Sequence, residues 1–371
     1  MSKGRKIWNV GWRVAVGALL LFWIFHAIFV NESKLAAQTQ GQPWDQLARG
    51  EQWKQAWTYG PPQLWRTLCL VQPGALLLSV LLMGCTILLG VWRWRLVLRV
   101  QGLELSVGRA LEISFIAHFF NSFLLGSTGG DLMKAYYAAR ETHHKKTEAV
   151  VTVFVDRLIG LWAMLLFATI LILPNWPLLM SHSRLRPLAG LIVAMMIACT
   201  AVVVVAFWGG VSRAWSGARI WLRRLPRGEW LERSLDACRR FGQQHFFVSR
   251  ALAISMVLNT VCVLQFLALS WGLKLRIPLL ALFVIVPMII CISALPVTPS
   301  GLGVRENLFV LMLAAPVIAV PETLALSLSL LAYAGSLFWS LVGGAVYLTL
   351  KERHHLAEVA QDELAPEATP H

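Results

Sequence analysis

Residues 121–140 read NSFLLGSTGGDLMKAYYAAR, from Asn121 to Arg140. The stretch follows an apolar segment and interrupts it with Gly126, Gly129 and Gly130, and then places an acid, Asp131, and a base, Lys134. Glycines and charges inside a membrane chain are costly unless that backbone lines a protein-enclosed or watery site. The stretch therefore reads as the floor of a binding site within a bilayer, with the rest of the chain arranged around it as two inverted halves. Gly126-Ser127-Thr128-Gly129-Gly130 can adopt backbone conformations closed to other residues. Asp131 is then placed to N-cap a helix running through Lys134 to Arg140. The N–H groups and dipole of such a helix start favour an anion, and Lys134 one turn on can meet a phosphate. The blander alternative gives the glycines only a tight turn and Asp131 only a cap.

Composition sets the class. The 371 residues are 57% hydrophobic and 14% charged, with a mean hydropathy of +0.63, which indicates an all-α polytopic membrane protein. Seventeen Trp residues, many beside apolar runs, suit interfacial anchoring. In a soluble chain a net charge of +14 would suggest nucleic acid. Here the bases gather at the ends of apolar runs, so anionic inner-leaflet lipids are the expected partner and nucleic acid is not. Cys69, Cys85, Cys199, Cys238, Cys262 and Cys291 are scattered, without a CxxC, and read as small buried hydrophobes.

A full span takes about 20 apolar residues. Six are expected, near 12–30, 74–92, 148–173, 188–209, 250–273 and 322–350. The first follows Lys3, Arg5 and Lys6 and reads as a retained span rather than a signal peptide. Two further apolar segments, 106–135 and 278–318, are broken near their centres by Gly or Pro. With the N-terminus inside, 19 flanking bases fall inside and 8 outside, which puts both termini in the cytoplasm. Bases then flank 106–135 on the inside, so that segment enters and returns from the cytoplasmic face. The segment 278–318 does the same from the other face. Each half reads span, re-entrant broken-helix hairpin, span, and the halves are inverted, as in many transporters. Residues 1–353 form this membrane domain. The acidic, Pro/Ala-rich tail 354–371 is expected to be disordered. In the outer loop 31–67, Trp44, Trp53, Trp57 and Trp65 suggest a short surface helix. In the inner loop 210–249, RIWLRRL (219–225) suggests an interfacial one.

The second break is PVTPSGLGVRE, Pro296 to Glu306. Two prolines end the incoming helix, Gly301 and Gly303 permit the reversal, and Arg305 and Glu306 open the outgoing helix. Arg305 lies in apolar surroundings and needs Glu306, Asp131, Asp156 or an anionic ligand beside it. Asp156 and Arg157 sit in a helix beginning near Thr147. They point about 100° apart, so both can face the bundle interior without pairing to each other. His118 and Asn121 precede the first break one turn apart, the lone His118 reading as hydrogen-bonded packing rather than a ligand or proton relay, and Asn259 and Gln265 read as interhelical hydrogen-bonders. No nucleotide loop, metal-ligand spacing or nucleophile elbow appears, and neither a cofactor nor a catalytic set is expected.

GSTGGDLMKAYYAAR, the run Val155-Asp156-Arg157-Leu158-Ile159-Gly160, and PVTPSGLGVREN resemble, in order, three elements of one family. Its pattern has Gly-Gly-Asp followed by a basic-aromatic helix, then Asp-Arg-x-x-Gly, then Pro-x-x-Pro-Gly-Gly-Leu-Gly-x-Arg-Glu, with Ser300 here replacing a Gly. The family is the transmembrane, flippase-like region of lysylphosphatidylglycerol synthases, and the likeness covers about residues 10–350. It implies an inner-membrane protein that moves an anionic, aminoacylated or polyprenyl-phosphate-linked lipid between leaflets. A site built from Gly129, Gly130, Asp131, Lys134, Asp156, Arg157, Ser300, Gly301, Gly303, Arg305 and Glu306 would hold the head group. The chain ends soon after its last span, so lysylphosphatidylglycerol synthesis by this chain is not expected. An integral-membrane head-group or lipid-linked sugar transferase, and a scaffold for a separate soluble or membrane synthase, stand as the other readings.

Overall fold

The computed structural model describes residues 44–123, 127–141, 145–176, 185–208, 237–244, 246–294, 304–315 and 318–349, with isolated positions between 22 and 38. Most of the expected first span lies outside the described residues, as do RIWLRRL, the turn of the second break with Ser300, Gly301 and Gly303, and the tail. The described residues are helical: α1 (Arg49–Leu70), α2 (Pro73–Val100), α3 (Val107–Phe123), α4 (Ser127–Glu141), α5 (Lys146–Ile172), α6 (Arg186–Trp208), α7 (Phe247–Gly272), α8 (Leu279–Ser293), α9 (Val304–Leu313) and α10 (Glu322–Thr349). Five of them, α2, α5 with its short extension to Asn175, α6, α7 and α10, are long and apolar enough to cross a membrane. The chain is an all-α multi-span membrane protein. The helix expected in the loop 31–67 is longer than expected, at 22 residues, and runs through Pro61 and Pro62.

Packing repeats between two sets of four helices. α2 packs on α3 and α5, and α7 packs on α8 and α10. Within the hairpins α3 meets α4 and α8 meets α9; α4 meets α5 and α9 meets α10. Between sets the exchange is reciprocal: α3 lies on α10 and α8 on α5, while α2 meets α10 and α7 meets α5. Every pair thus has its counterpart under the exchange of α2–α5 for α7–α10. The contact joining α2 to α7 maps onto itself, and α6 is an addition beside α5 and α8. α2 and α7 are antiparallel. Gln72 N donates to Gly272 O at one end (3.1 Å) and Arg93 Nη1 donates to Ser255 Oγ at the other (3.1 Å). Of the five long helices α10 is the most enclosed: 61% of its apolar window is buried, against 17% for α2. Outward faces carry Leu77, Leu81 and Trp92 on α2 and Ile197 and Val202 on α6, as lipid contact requires.

Helix ends repeat too. α2 stops where Leu103 N donates to Leu98 O and Gly102 N to Arg99 O, with Gly102 at φ +66°. α7 stops the same way: Leu275 N donates to Ser270 O and Lys274 N to Trp271 O. Both are Schellman closures, which place one residue in the left-handed region. At α7 that residue is Lys274, at φ 56°, where a side chain costs about 1–2 kcal/mol. Lys274→Gly is therefore expected to stabilise the protein by about 1 kcal/mol, read as a raised thermal midpoint in detergent.

The first hairpin corrects a sequence expectation. Residues 124–126, Gly126 among them, lie outside the described residues, and Gly129 and Gly130 lie within α4. Asp131 is the fifth residue of that helix, so it is not the N-cap. Gly130 is required by proximity instead. A Cβ there would stand 2.0 Å from Ala117 O, and its N–H donates to Asn121 Oδ1 at 2.9 Å. At the open end of the hairpin Arg109 bridges to Glu141 (2.7 Å) and Glu112 (3.0 Å), so α4 returns to the level at which α3 began.

The cysteines divide. All six are free thiols; Cys199, Cys238 and Cys291 are buried and Cys262 partly so, whereas Cys69 and Cys85 are exposed. Cys85 sits on the outward apolar face of α2 beside Leu81 and Leu88, a location that serves a small hydrophobe in lipid as well as a core does, and Cys69 is exposed near the end of α1.

Candidate functional site

Three helices of the first half bring charge together, and α7 of the second half adds a neutral hydroxyl. Asp156, eleven residues into α5 and 6% exposed, accepts from Arg93 Nε of α2 at 2.8 Å and from Lys134 Nζ of α4 at 3.3 Å. Ser255 of α7 takes a third bond, accepting from Arg93 Nη1 while donating to Ala251 O at 2.8 Å. Lys134 Nζ also stands 4.2 Å from the centroid of the Trp94 ring, a cation–π contact in a desolvated setting. Arg93 lies seven residues from the end of α2, or about 10 Å at 1.5 Å per residue. That depth explains why the guanidinium is bound by side chains rather than by solvent. Gly160, one turn beyond Asp156, makes room for it: a Cβ there would stand 2.9 Å from Arg93 Nη2.

Arg157 turns the other way and pairs with Asp131 of α4. This pair is more open, with the side chains 41% and 27% exposed. The expectation that Asp156 and Arg157 do not pair with each other holds, but only Asp156 is interior.

In the second half Arg305 and Glu306 open α9. Arg305 Nε donates to Glu306 Oε1 (3.1 Å) and to Ser329 Oγ of α10 (3.2 Å), and its Nη2 also pairs with Glu306. The guanidinium carbon lies 4.6 Å from the centroid of the Tyr333 ring. Glu306 is 2% exposed. In each half, then, charges near the start of a hairpin's return arm reach the long helix that follows it. Between the halves, His118 Nε2 of α3 lies 3.2 Å from Ser336 O of α10, and Ser122 bonds to Ser340. His118 is thus a packing residue, as its lone position implied.

Three buried donors at or near these charges have no hydrogen-bond partner among the described residues: Trp94 Nε1, Tyr333 OH and Asn259 Nδ2. Asn259, expected to bond between helices, does not bond through that amide. A buried donor left unmade costs about 1–3 kcal/mol. Trp94 supports Lys134 and Tyr333 underlies Arg305, so two of the three sit against the cations. Among the described residues no three His, Cys, Asp or Glu gather as a metal site would require.

Sequence reasoning missed Arg93, Ser255, Trp94 and Tyr333. In the sequence Arg93 is one more base at the end of an expected span, and only the length of α2 sets it apart from Arg95 and Arg99.

No curated protein matches the chain. The profile of the family described as Lysylphosphatidylglycerol synthase TM region matches residues 52–344, from α1 to near the end of α10. With the matched region holding both charge clusters and both repeated helix sets, the chain belongs to the Lysylphosphatidylglycerol synthase TM region family.

Proposed function

We propose that the protein is a lipid translocator of a bacterial inner membrane, with both termini cytoplasmic. It moves a phosphate-bearing lipid, whether anionic, aminoacylated or polyprenyl-phosphate-linked, between leaflets. One observation carries the reading: two cations, Arg93 and Lys134, meet at one buried carboxylate, Asp156. Uncompensated charge inside a bilayer costs several kcal/mol and marks a functional site by default. A phosphate brings the missing negative charge, and its oxygens suit the orphaned Trp94 donor.

The architecture supports the reading. α3, α4, α8 and α9 have 17, 15, 15 and 10 residues. The longest is about 26 Å, short of a 30 Å hydrocarbon core. In a bilayer they act as two re-entrant hairpins in an inverted repeat, with the charged starts of their return arms at the translocation path. Lys134, Arg93 and Arg305 attract the head-group phosphate. Asp156 and Glu306 hold those cations in place while the site is empty, and Arg157 with Asp131 guards the more open side. Acyl chains stay in lipid.

The test uses the full chain reconstituted in liposomes with a fluorescent phosphatidylglycerol, following leaflet exposure by a membrane-impermeant quencher. Lys134→Gln keeps the Arg93–Asp156 pair and so should fold. Loss of one charged hydrogen bond to the head group, about 1.5–3 kcal/mol, predicts transfer slowed about tenfold to a hundredfold. A variant with the wild-type melting midpoint and undiminished transfer would remove the assignment.

A further inference from the structure

We propose a second anion site, separate from the buried cluster: a cleft at the junction of α2 and α3 that takes the phosphate of an inner-leaflet phospholipid or of a free phosphate ester. The cleft has a volume of about 360 Å³ and is lined by Arg95, Arg99, Leu103, Glu104, Leu105 and Ser106. That size falls within the range of small-ligand sites, about 300–1,000 Å³.

Two arginines four apart lie on one helix face, so Arg95 and Arg99 form a pair of guanidiniums one turn from each other. Arg93, two residues before Arg95, points about 200° away, toward Asp156. The same helix therefore serves two distinct places. Arg95 Nε donates to Leu105 O at 3.2 Å, which holds the side chain against the cleft wall. Among the described residues neither arginine has a carboxylate within salt-bridge distance, although Glu104 lines the same cleft.

The wall is fixed rather than loose. The Schellman closure at Gly102 sets the direction of Leu103–Ser106. Lys145 Nζ donates to Gln101 O at 3.3 Å, and Gln101 Nε2 donates to Ala237 O at 2.7 Å. Lys145 thus adds a third cation to the same turn. Arg99 is the penultimate residue of α2, the level at which a spanning helix meets head groups. Guanidinium pairs bind phosphate through several donors at once. Apolar Leu103 and Leu105 beside them suit the glycerol end of a lipid.

Native mass spectrometry of the purified full chain provides the test, with phosphatidylglycerol, phosphatidylcholine and inorganic phosphate titrated in turn. Arg95→Gln/Arg99→Gln is expected to retain one phosphatidylglycerol fewer, or to bind it about tenfold more weakly, with phosphatidylcholine unaffected. Glu104→Gln is expected to tighten the same step. Competition by inorganic phosphate would assign the site to the free anion; its failure would assign it to the lipid. Should the double variant not fold, Arg99→Gln alone, at an exposed position, carries the test. Phosphatidylglycerol retention equal to wild type in a folded arginine variant would overturn the proposal.

Discussion

Asp156→Asn is expected to destabilise the protein by about 3–5 kcal/mol, the usual consequence of removing one partner from a buried ion pair. Arg93 and Lys134 both lose their counter-ion, since each touches the carboxylate and both side chains are only 12% exposed. Two like charges then face each other within a low-dielectric interior. Ser255 still accepts from Arg93 and Trp94 still underlies Lys134, but neither supplies negative charge. The measurement is chemical or thermal unfolding in detergent, read beside transfer in liposomes. A second substitution separates stability from ligand binding. Adding Lys134→Met to Asp156→Asn removes one of the stranded cations, so stability should recover in part. Transfer should not recover, because the phosphate has lost a donor. If Asp156→Asn proved neutral in stability, the surplus-charge argument would fail at its root.

How far the residues themselves announced this cluster is instructive. The Asp131, Lys134 and Asp156-Arg157 positions were legible because a charge in an apolar run stands out, whatever its partner. Arg93 was not, since Trp92-Arg93-Trp94-Arg95 sits at the end of a span and reads as ordinary positive-inside bias. Only the helix length shows that the span continues to Val100 and leaves Arg93 inside it. Pairing was the least legible part. Arg305 had four possible partners on sequence grounds and took its chain neighbour Glu306, together with Ser329 and Tyr333, which no motif marks. A repeat in helix contacts is present without a matching repeat in residue identity. The structure explains this: what repeats is the closure after α2 and α7 and the exchange of helix contacts. A backbone hydrogen-bond pattern can be kept by Gly102 in one half and Lys274 in the other. Gly130 was read for the wrong property. Flexible turns and close helix approaches both select Gly, and a single sequence does not distinguish a free φ from a missing Cβ.

Gly130→Ala separates those two properties directly. Were Gly130 a turn residue, alanine would cost only its left-handed conformation. Inside α4, alanine should instead gain about 1 kcal/mol of helix propensity, and the outcome rests on space. The added carbon stands 2.0 Å from Ala117 O and 2.5 Å from the Asn121 amide, so α3 and α4 must move apart. Overpacking of this kind costs about 1–3 kcal/mol and occasionally more. A backbone oxygen cannot rotate away as a side chain does, so the upper end applies and the net loss is expected to be about 2 kcal/mol. α3 has no room to retreat, because Gly343 of α10 presses on its other face: a Cβ there would lie 2.1 Å from Phe115 O. Gly343→Ala should therefore destabilise by a similar amount. Gly90, with nothing within 4 Å of its would-be Cβ, is the control, and Gly90→Ala should be neutral or stabilising by up to about 1 kcal/mol. The separation also carries Lys134 away from Asp156, so Gly130→Ala should slow lipid transfer more than its loss of stability accounts for, whereas Gly90→Ala should leave transfer unchanged. Small residues where helices meet are how a bundle without a hydrophobic driving force brings its backbones close, and here that closeness is what delivers a lysine to a buried carboxylate.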